Sequence, residues 1–377
     1  MKRVVVWVLL MSLVVMPVSA APAQVEAKSA LLMDATTGQI LYEQGSHERL
    51  APASVTKVMT MLLIMEAIDD GRICWEDTVT ASEAAAAKGG SQIYLKVGET
   101  MTVTDMVKSI AVSSANDAAC AMAEHLAGSE AAFVDAMNQR AQELGMADTH
   151  FVNCTGLDDD PDAREHLTSA HDIAIMSREL LTKHPDIRKF TTIWMDTIRG
   201  GTFGLSNTNK LVRFYNGATG LKTGFTASAG YCLSASAERD GMHLIAVVMG
   251  SETSAQRFAA CKQLLDWGFA NFALVSPETD SASVPVELGA RDTVEAVPGE
   301  TPKLLIDKSQ KSSVTTQVTM EEKVTAPVSK GQRLGTMTIR AGEQVLRQIP
   351  MVASQPVEKL SWWQMFVRVL RRMAMGG

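Results

Sequence analysis

The sequence predicts an α+β protein, with helices laid on a mainly antiparallel sheet, and three observations lead to that class. Val55 to Met65 is almost continuously apolar, the pattern of a buried central helix. Two β-rich runs, Tyr231 to Ala237 and Met242 to Met249, flank Arg239-Asp240-Gly241, and Asp-Gly is a strong hairpin signal. After Leu274 the composition changes to short Val- and Thr-rich runs separated by Gly, Pro and Asp, which predicts a smaller all-β unit. With 377 residues and a hydrophobic fraction of 46%, the chain has length and apolar content for two domains around well-buried cores.

Lys2 and Arg3 open the chain, Val4 to Met16 is almost wholly apolar, and Val18-Ser19-Ala20 supplies small residues for cleavage. Residues 1–20 therefore read as an export signal, since the apolar run is shorter than the roughly 20 residues of a membrane span. Ala30 to Asp34 and Gln39 to Tyr42 flank Thr36-Thr37-Gly38 and predict an early hairpin. Helical patterns then continue to about Gly145, broken by the polar stretch Lys88 to Gln92. Leu221 to Gly250 has strand character, with Lys222-Thr223-Gly224 on a strand adjoining the Asp-Gly hairpin, and a helix from about Ser254 to Phe272 closes the first unit. The predicted layout is 21–273 for that unit, 274–356 for the β-rich unit and 357–377 for a terminal helix.

In that terminal stretch Trp362, Phe366, Val369 and Met373 fall on one helical face, widened by Trp363, Met365 and Leu370. Gln364, Arg368, Arg371 and Arg372 fall on the other, and a basic face opposite a Trp/Phe/Leu face predicts a helix lying in a membrane interface. The net charge of −7, with no basic stripe through the body, gives no reason to expect nucleic-acid binding. Five cysteines, Cys74, Cys120, Cys154, Cys232 and Cys261, form no CxxC pair and are too scattered for a disulfide framework, so most are expected to be small buried hydrophobes.

The chemistry-bearing residues lie in three strings. Ser54 and Lys57, three apart, share one face of a helix that begins at Ser54. A lysine in an apolar helix is costly unless paired or neutral, and to serve as a base near pH 7 its pKa must fall by about three units, which burial and a neighbouring cation such as Lys222 both promote. Ser114-Ala115-Asn116 sits between two helical patterns, giving a hydroxyl for proton transfer and an amide that both donates and accepts. Lys222-Thr223-Gly224 places a cation and a hydroxyl on a strand, where Gly224 lets another backbone approach. Each string alone is weak; in this order they point to acyl transfer through Ser54.

Such a set resembles the motifs of β-lactamases and penicillin-binding proteins. Beyond the motifs, the chain closely resembles the D-alanyl-D-alanine carboxypeptidases, the low-molecular-weight penicillin-binding proteins. The resemblance is carried by Leu50-Ala51-Pro52-Ala53, Gly90-Ser91-Gln92-Ile93, Asn153-Cys154-Thr155-Gly156-Leu157, Asn207-Thr208-Asn209-Lys210-Leu211 and Ala229-Gly230-Tyr231-Cys232-Leu233. It is strong over roughly residues 28–270, while the β unit and tail match in layout. It implies a β-lactamase/transpeptidase-like domain with helices on both faces of its sheet. It also implies Ser54 as nucleophile, Lys57 as base, Ser114 as proton donor to the leaving D-alanine, and Asn116 on the substrate amide. Lys222 and Thr223 would take the terminal carboxylate beside Gly224, and the backbone N–H groups of Ser54 and Phe225 the oxyanion. The implied partners are a peptidoglycan pentapeptide and β-lactams, on the extracytoplasmic face of a bacterial membrane.

Two departures stand out. Cys154 replaces a proline common among relatives, so the loop with Asp158 to Asp162 is expected to differ in shape. Glu165, in the stretch where a class A β-lactamase needs its deacylating glutamate, lies in Arg164-Glu165-His166-Leu167-Thr168, which fits the carboxypeptidase layout better. The acidic run does not fit an EF-hand loop, and His166 and His171 do not form HExxH and read as structural, so no metal or other cofactor is expected.

Overall fold

A computed structural model describes residues 22, 24–159, 162–277 and 281–375; the predicted export signal lies outside them. Five antiparallel strands form the main sheet, in the order Ile40–Gln44, Ser29–Asp34, Met242–Ser251, Gly230–Arg239 and Ala218–Thr226. Strand alternation splits their side chains between two cores. Leu31, Met33, Ile245, Val247 and Met249 face the large helical cluster, whereas Ala30, Leu32, Leu244, Ala246 and Val248 face the helix Ser254–Asn271. Helices therefore cover both faces, as expected of this fold class.

The helix Lys57–Asp69 runs through the middle of the large cluster and is buried at every position from Lys57 to Met65. It packs against Ala170–Lys183, Val103–Ser113 and Asn116–Ala127. Several helices start where the sequence supplies a capping hydroxyl: Ser82, Thr102, Ser129, Ser169 and Thr253 each accept an N–H from three residues on. Short strands Thr78–Thr80 and Thr100–Thr102 pair within the stretch whose pattern predicted helices broken only at 88–92. Three residues are too few for alternation to register against the helical periodicity around them.

Beyond Asn271, a short pair, Phe272–Val275 with Leu304–Asp307, leads into a six-stranded sheet. Its order is Val314–Met320, Arg333–Ala341, Gln344–Ala353, Thr293–Pro298, Ala282–Glu287 and Val324–Thr325, the last pairing parallel. Val284, Val286, Val294, Leu334, Met337, Ile339, Ile349 and Met351 close a separate apolar core there.

The terminal helix, Trp362–Met375, begins with a reciprocal cap: Ser361 N–H donates to Gln364 Oε1 at 2.9 Å and Gln364 N–H to Ser361 Oγ at 3.3 Å. Trp362, Trp363 and Phe366 are exposed, with Phe366 stacked on each indole. Arg368, assigned by periodicity to a free basic face, instead pairs with Asp292 and donates to the Gly289 carbonyl at 3.1 Å, tying the helix to the β unit. Among the described residues no helix is long and apolar enough to cross a membrane. All five cysteines are free, with four buried and Cys74 exposed.

Candidate active site

Ser54 lies in a single 3₁₀ turn, Ala53–Thr56, that feeds directly into the Lys57–Asp69 helix. The sequence placed Ser54 within the α-helix itself; the tighter turn keeps the pair on one side, because 3₁₀ geometry also stacks residues three apart. Lys57 Nζ donates to Ser54 Oγ at 2.9 Å and to the Thr155 carbonyl at 2.9 Å. Among the described residues no carboxylate pairs with it, and burial lowers Lys57 to about 7. Sequence reasoning had added Lys222 as a second cause. The repulsion bears instead on Lys222, which is held well below its usual range by burial first and then by the charges of Lys57 and Arg257.

Ser114 closes the helix Val103–Ser113 in a left-handed conformation, φ 62°, which turns the chain sharply before Asn116 opens the next helix. Asn116 Nδ2 donates to the Gly89 carbonyl at 2.7 Å, and its buried Oδ1 has no hydrogen-bond partner among the described residues. Asp117, fully buried, accepts from the N–H groups of Ile93 and Leu95 and so fixes the Gly90–Ile93 string against Asn116.

Ala218–Thr226 is the outermost strand of its sheet. On it Lys222 is buried and donates to the Thr223 carbonyl at 2.8 Å, while Thr223 Oγ1 lies 2.6 Å from Thr208 Oγ1. Gly224 is needed for close approach: a Cβ there would sit 2.6 Å from the Pro52 carbonyl oxygen and 3.1 Å from Ser54 N. That contact presses the strand onto the nucleophile turn. Phe225 follows with its ring exposed and tilted by 30° against Tyr231, the ring centroids 4.3 Å apart.

The loop through Asn153–Gly156 forms the floor. Asn153 Oδ1 accepts from Thr155 N–H and Gly156 N–H, curling the loop so that the Thr155 carbonyl meets Lys57. Cys154 donates both its N–H and its thiol to Glu130 Oε1, at 3.3 and 3.2 Å; a proline at this position has no N–H to give. Glu130 is held in turn by Lys88 at 2.6 Å. Gly156, at φ 79°, passes so close that a Cβ would lie 1.9 Å from the Ala53 carbonyl oxygen. Gly156→Ala is therefore expected to cost about 2–5 kcal/mol in folding stability, combining left-handed strain with overpacking, read as a lowered melting temperature.

Of the predicted residues, Lys57 and Gly224 meet the Ser54 turn directly and Lys222 lies within charge range of Lys57. Sequence reasoning missed Arg257, a buried guanidinium whose Nη1 donates to the carbonyls of Gly224 at 2.8 Å and Cys232 at 3.3 Å, holding the strand behind the clamp. Nothing in the pattern of its helix marks it. Thr155 and Thr208 were quoted only within strings of resemblance, with no role attached. Glu165 is exposed on the short turn Ala163–Glu165.

A serine bonded to a buried lysine, a Ser-Ala-Asn turn between two buried helices and a Lys-Thr-Gly edge strand pressed onto the nucleophile turn suit a serine acyl-transfer enzyme of the penicillin-interacting class. The model of the D-alanyl-D-alanine carboxypeptidases matches residues 16–253, and that of the penicillin-binding protein 5 C-terminal domain matches residues 269–359. The chain belongs to the D-alanyl-D-alanine carboxypeptidase family. It is 44% identical over 354 residues to D-alanyl-D-alanine carboxypeptidase DacF of Bacillus subtilis, covering 92% of this chain and 89% of that protein. To DacC of Escherichia coli it is 34% identical over 349 residues, covering 89% and 85%. Penicillin-binding protein 5 of Haemophilus influenzae superposes with a TM-score of 0.78 at 30% identity, over 90% of this chain and 100% of that one. Penicillin-binding protein D2 of Listeria monocytogenes, solved in an ampicillin-bound form, gives 0.60 at 32% identity over 66% of this chain and 100% of that one.

Proposed function

We propose that the chain removes the C-terminal D-alanine from peptidoglycan stem pentapeptides through an acyl-enzyme on Ser54. The observation that supports this most directly is the 2.9 Å bond between Ser54 Oγ and a Lys57 whose pKa is lowered to about 7, a base matched to neutral pH. Ser54 Oγ attacks the carbonyl carbon of the penultimate D-alanine as its proton passes to Lys57 Nζ. The N–H groups of Ser54 and Phe225 take the developing oxyanion, where one donor is typically worth about 2.7–4 kcal/mol.

Collapse of the tetrahedral species breaks the C–N bond. Ser114 gives its proton to the departing amine and is reprotonated from Lys57. Water then attacks the ester, its proton again going to Lys57, and collapse breaks the ester C–O bond as Lys57 returns that proton to Ser54 Oγ and the shortened peptide leaves. Asn116 presents Nδ2 and the unpartnered Oδ1 to the substrate amide, and Lys222, Thr223 and Thr208 receive the terminal carboxylate. An arriving carboxylate favours the protonated form of Lys222, which offsets the repulsion from Lys57 and Arg257. Penicillins, resembling the dipeptide, acylate the same serine. Mass spectrometry of a pentapeptide muropeptide tests the reading: loss of a single D-alanine supports it, and an unchanged substrate with folded protein overturns it.

The same reading divides the chain into an export signal at 1–20, the peptidase at 21–273, a β domain at 274–356 and an anchoring helix at 357–377, on the outer face of the cell membrane. The exposed Trp362, Trp363 and Phe366 supply the apolar face for that helix. A mature chain ending at Val357 is expected to bind anionic vesicles at least about tenfold more weakly in co-sedimentation. Equal binding would refute the anchor.

A further inference from the structure

Ala53, the residue immediately before the nucleophile, is buried with φ 48°, a left-handed conformation that alanine adopts rarely. Such a residue persists only where its surroundings hold it. Its carbonyl oxygen accepts from Thr56 Oγ1 at 2.8 Å, and the same hydroxyl lies 2.8 Å from His166 Nε2. At the other side of the ring Val152 N–H, which can only donate, meets His166 Nδ1 at 3.0 Å.

Those contacts fix every proton. Nδ1 accepts, so in the neutral imidazole Nε2 carries the hydrogen and gives it to Thr56 Oγ1. The Thr56 hydroxyl must then point its own hydrogen at Ala53. Burial keeps the imidazole neutral, pushing it down to about 4, and its ring packs edge-on against Phe151 at 5.7 Å. The relay also spans the two groups that anchor Lys57. Ser54 lies on the turn that Thr56 steadies, and the Thr155 carbonyl lies on the loop that begins at Val152.

We propose that His166 is a positioning residue for acylation: by orienting the Thr56 hydroxyl onto the Ala53 carbonyl, it holds Ser54 and the Thr155 carbonyl in register on Lys57. This rests on Ser54 being the acylated serine. A buried histidine serving packing alone needs no hydroxyl opposite it, whereas here the single-direction chain Val152, His166, Thr56, Ala53 ends on the strained residue itself.

The test uses the full chain with Thr56→Val, Thr56→Ser and His166→Gln, following a fluorescent penicillin by stopped flow to separate its non-covalent Kd from the first-order acylation rate. Thr56→Val keeps the shape and loses the hydroxyl, so the rate is expected to fall about 10–100-fold with Kd within about threefold, as for a reacting group displaced by a fraction of an ångström. Thr56→Ser is expected to recover to within about threefold of the unsubstituted rate, and His166→Gln to slow acylation by at least about tenfold. The inference is overturned if Thr56→Val acylates at the unsubstituted rate, if Thr56→Ser is as slow as Thr56→Val, or if rate and Kd worsen in parallel. Should Thr56→Val lack a cooperative melt, His166→Gln decides, and an unsubstituted rate in that variant overturns it. Failure of the unsubstituted chain to label at Ser54 would instead sink the acylation reading on which this rests.

Discussion

Ser54→Ala is expected to lose D-alanine release and covalent penicillin labelling together, each by at least about 10⁴-fold, because both need the same Oγ to form an ester. The fold should survive, since Ser54 is half-buried and, among the described residues, its side chain's one hydrogen bond is received from Lys57. Removing the hydroxyl leaves that lysine with the Thr155 carbonyl as its remaining partner, and a neutral amine tolerates this at modest cost. The measurement is paired: muropeptide mass spectrometry for the missing D-alanine, and intact-protein mass for the penicillin adduct. Labelling that persists on another residue would overturn the assignment of the nucleophile.

Lys57→Arg is expected to slow acylation by about 10²–10⁴-fold at pH 8, the range that general-base catalysis supplies. Arginine stays protonated throughout the accessible pH range, so it donates to Ser54 but takes no proton from it. The pH profile gives the sign. Burial lowers Lys57 to about 7, so the base is neutral above that pH and protonated below it. The unsubstituted acylation rate therefore rises about tenfold per pH unit up to about 7 and then levels, whereas Lys57→Arg has no such limb. Stopped-flow acylation between about pH 5 and 9 measures both. An identical rising limb in Lys57→Arg would assign the titration to another group.

Much of this site was legible because its parts are local. Ser54 and Lys57 need only three residues of spacing, Ser114 and Asn116 two, and Lys222 to Gly224 one short strand, so the chain carries them as contiguous strings. The apolar run after Ser54 forecast a buried lysine, and with it a lowered pKa, before any packing was known. The Asp-Gly hairpin set the two central strands, and capping hydroxyls such as Thr102 and Ser169 marked helix starts.

Other features had no local signature. Arg257 sits in a helix whose pattern is unremarkable, yet strand pairing brings Gly224 and Cys232 under its guanidinium. His166 reads as an isolated histidine until the fold sets it against Thr56, 110 positions away along the chain. Arg368 belongs by periodicity to a free basic face, and only its docking on Asp292 and Gly289 removes it from that face. The sequence by itself determined the acid–base chemistry, since residue types and short spacings carry proton affinity, nucleophilicity and local geometry. Tertiary structure decided the alignment of that chemistry, because long-range burial and hydrogen bonds between distant segments set which neighbour each polar atom meets.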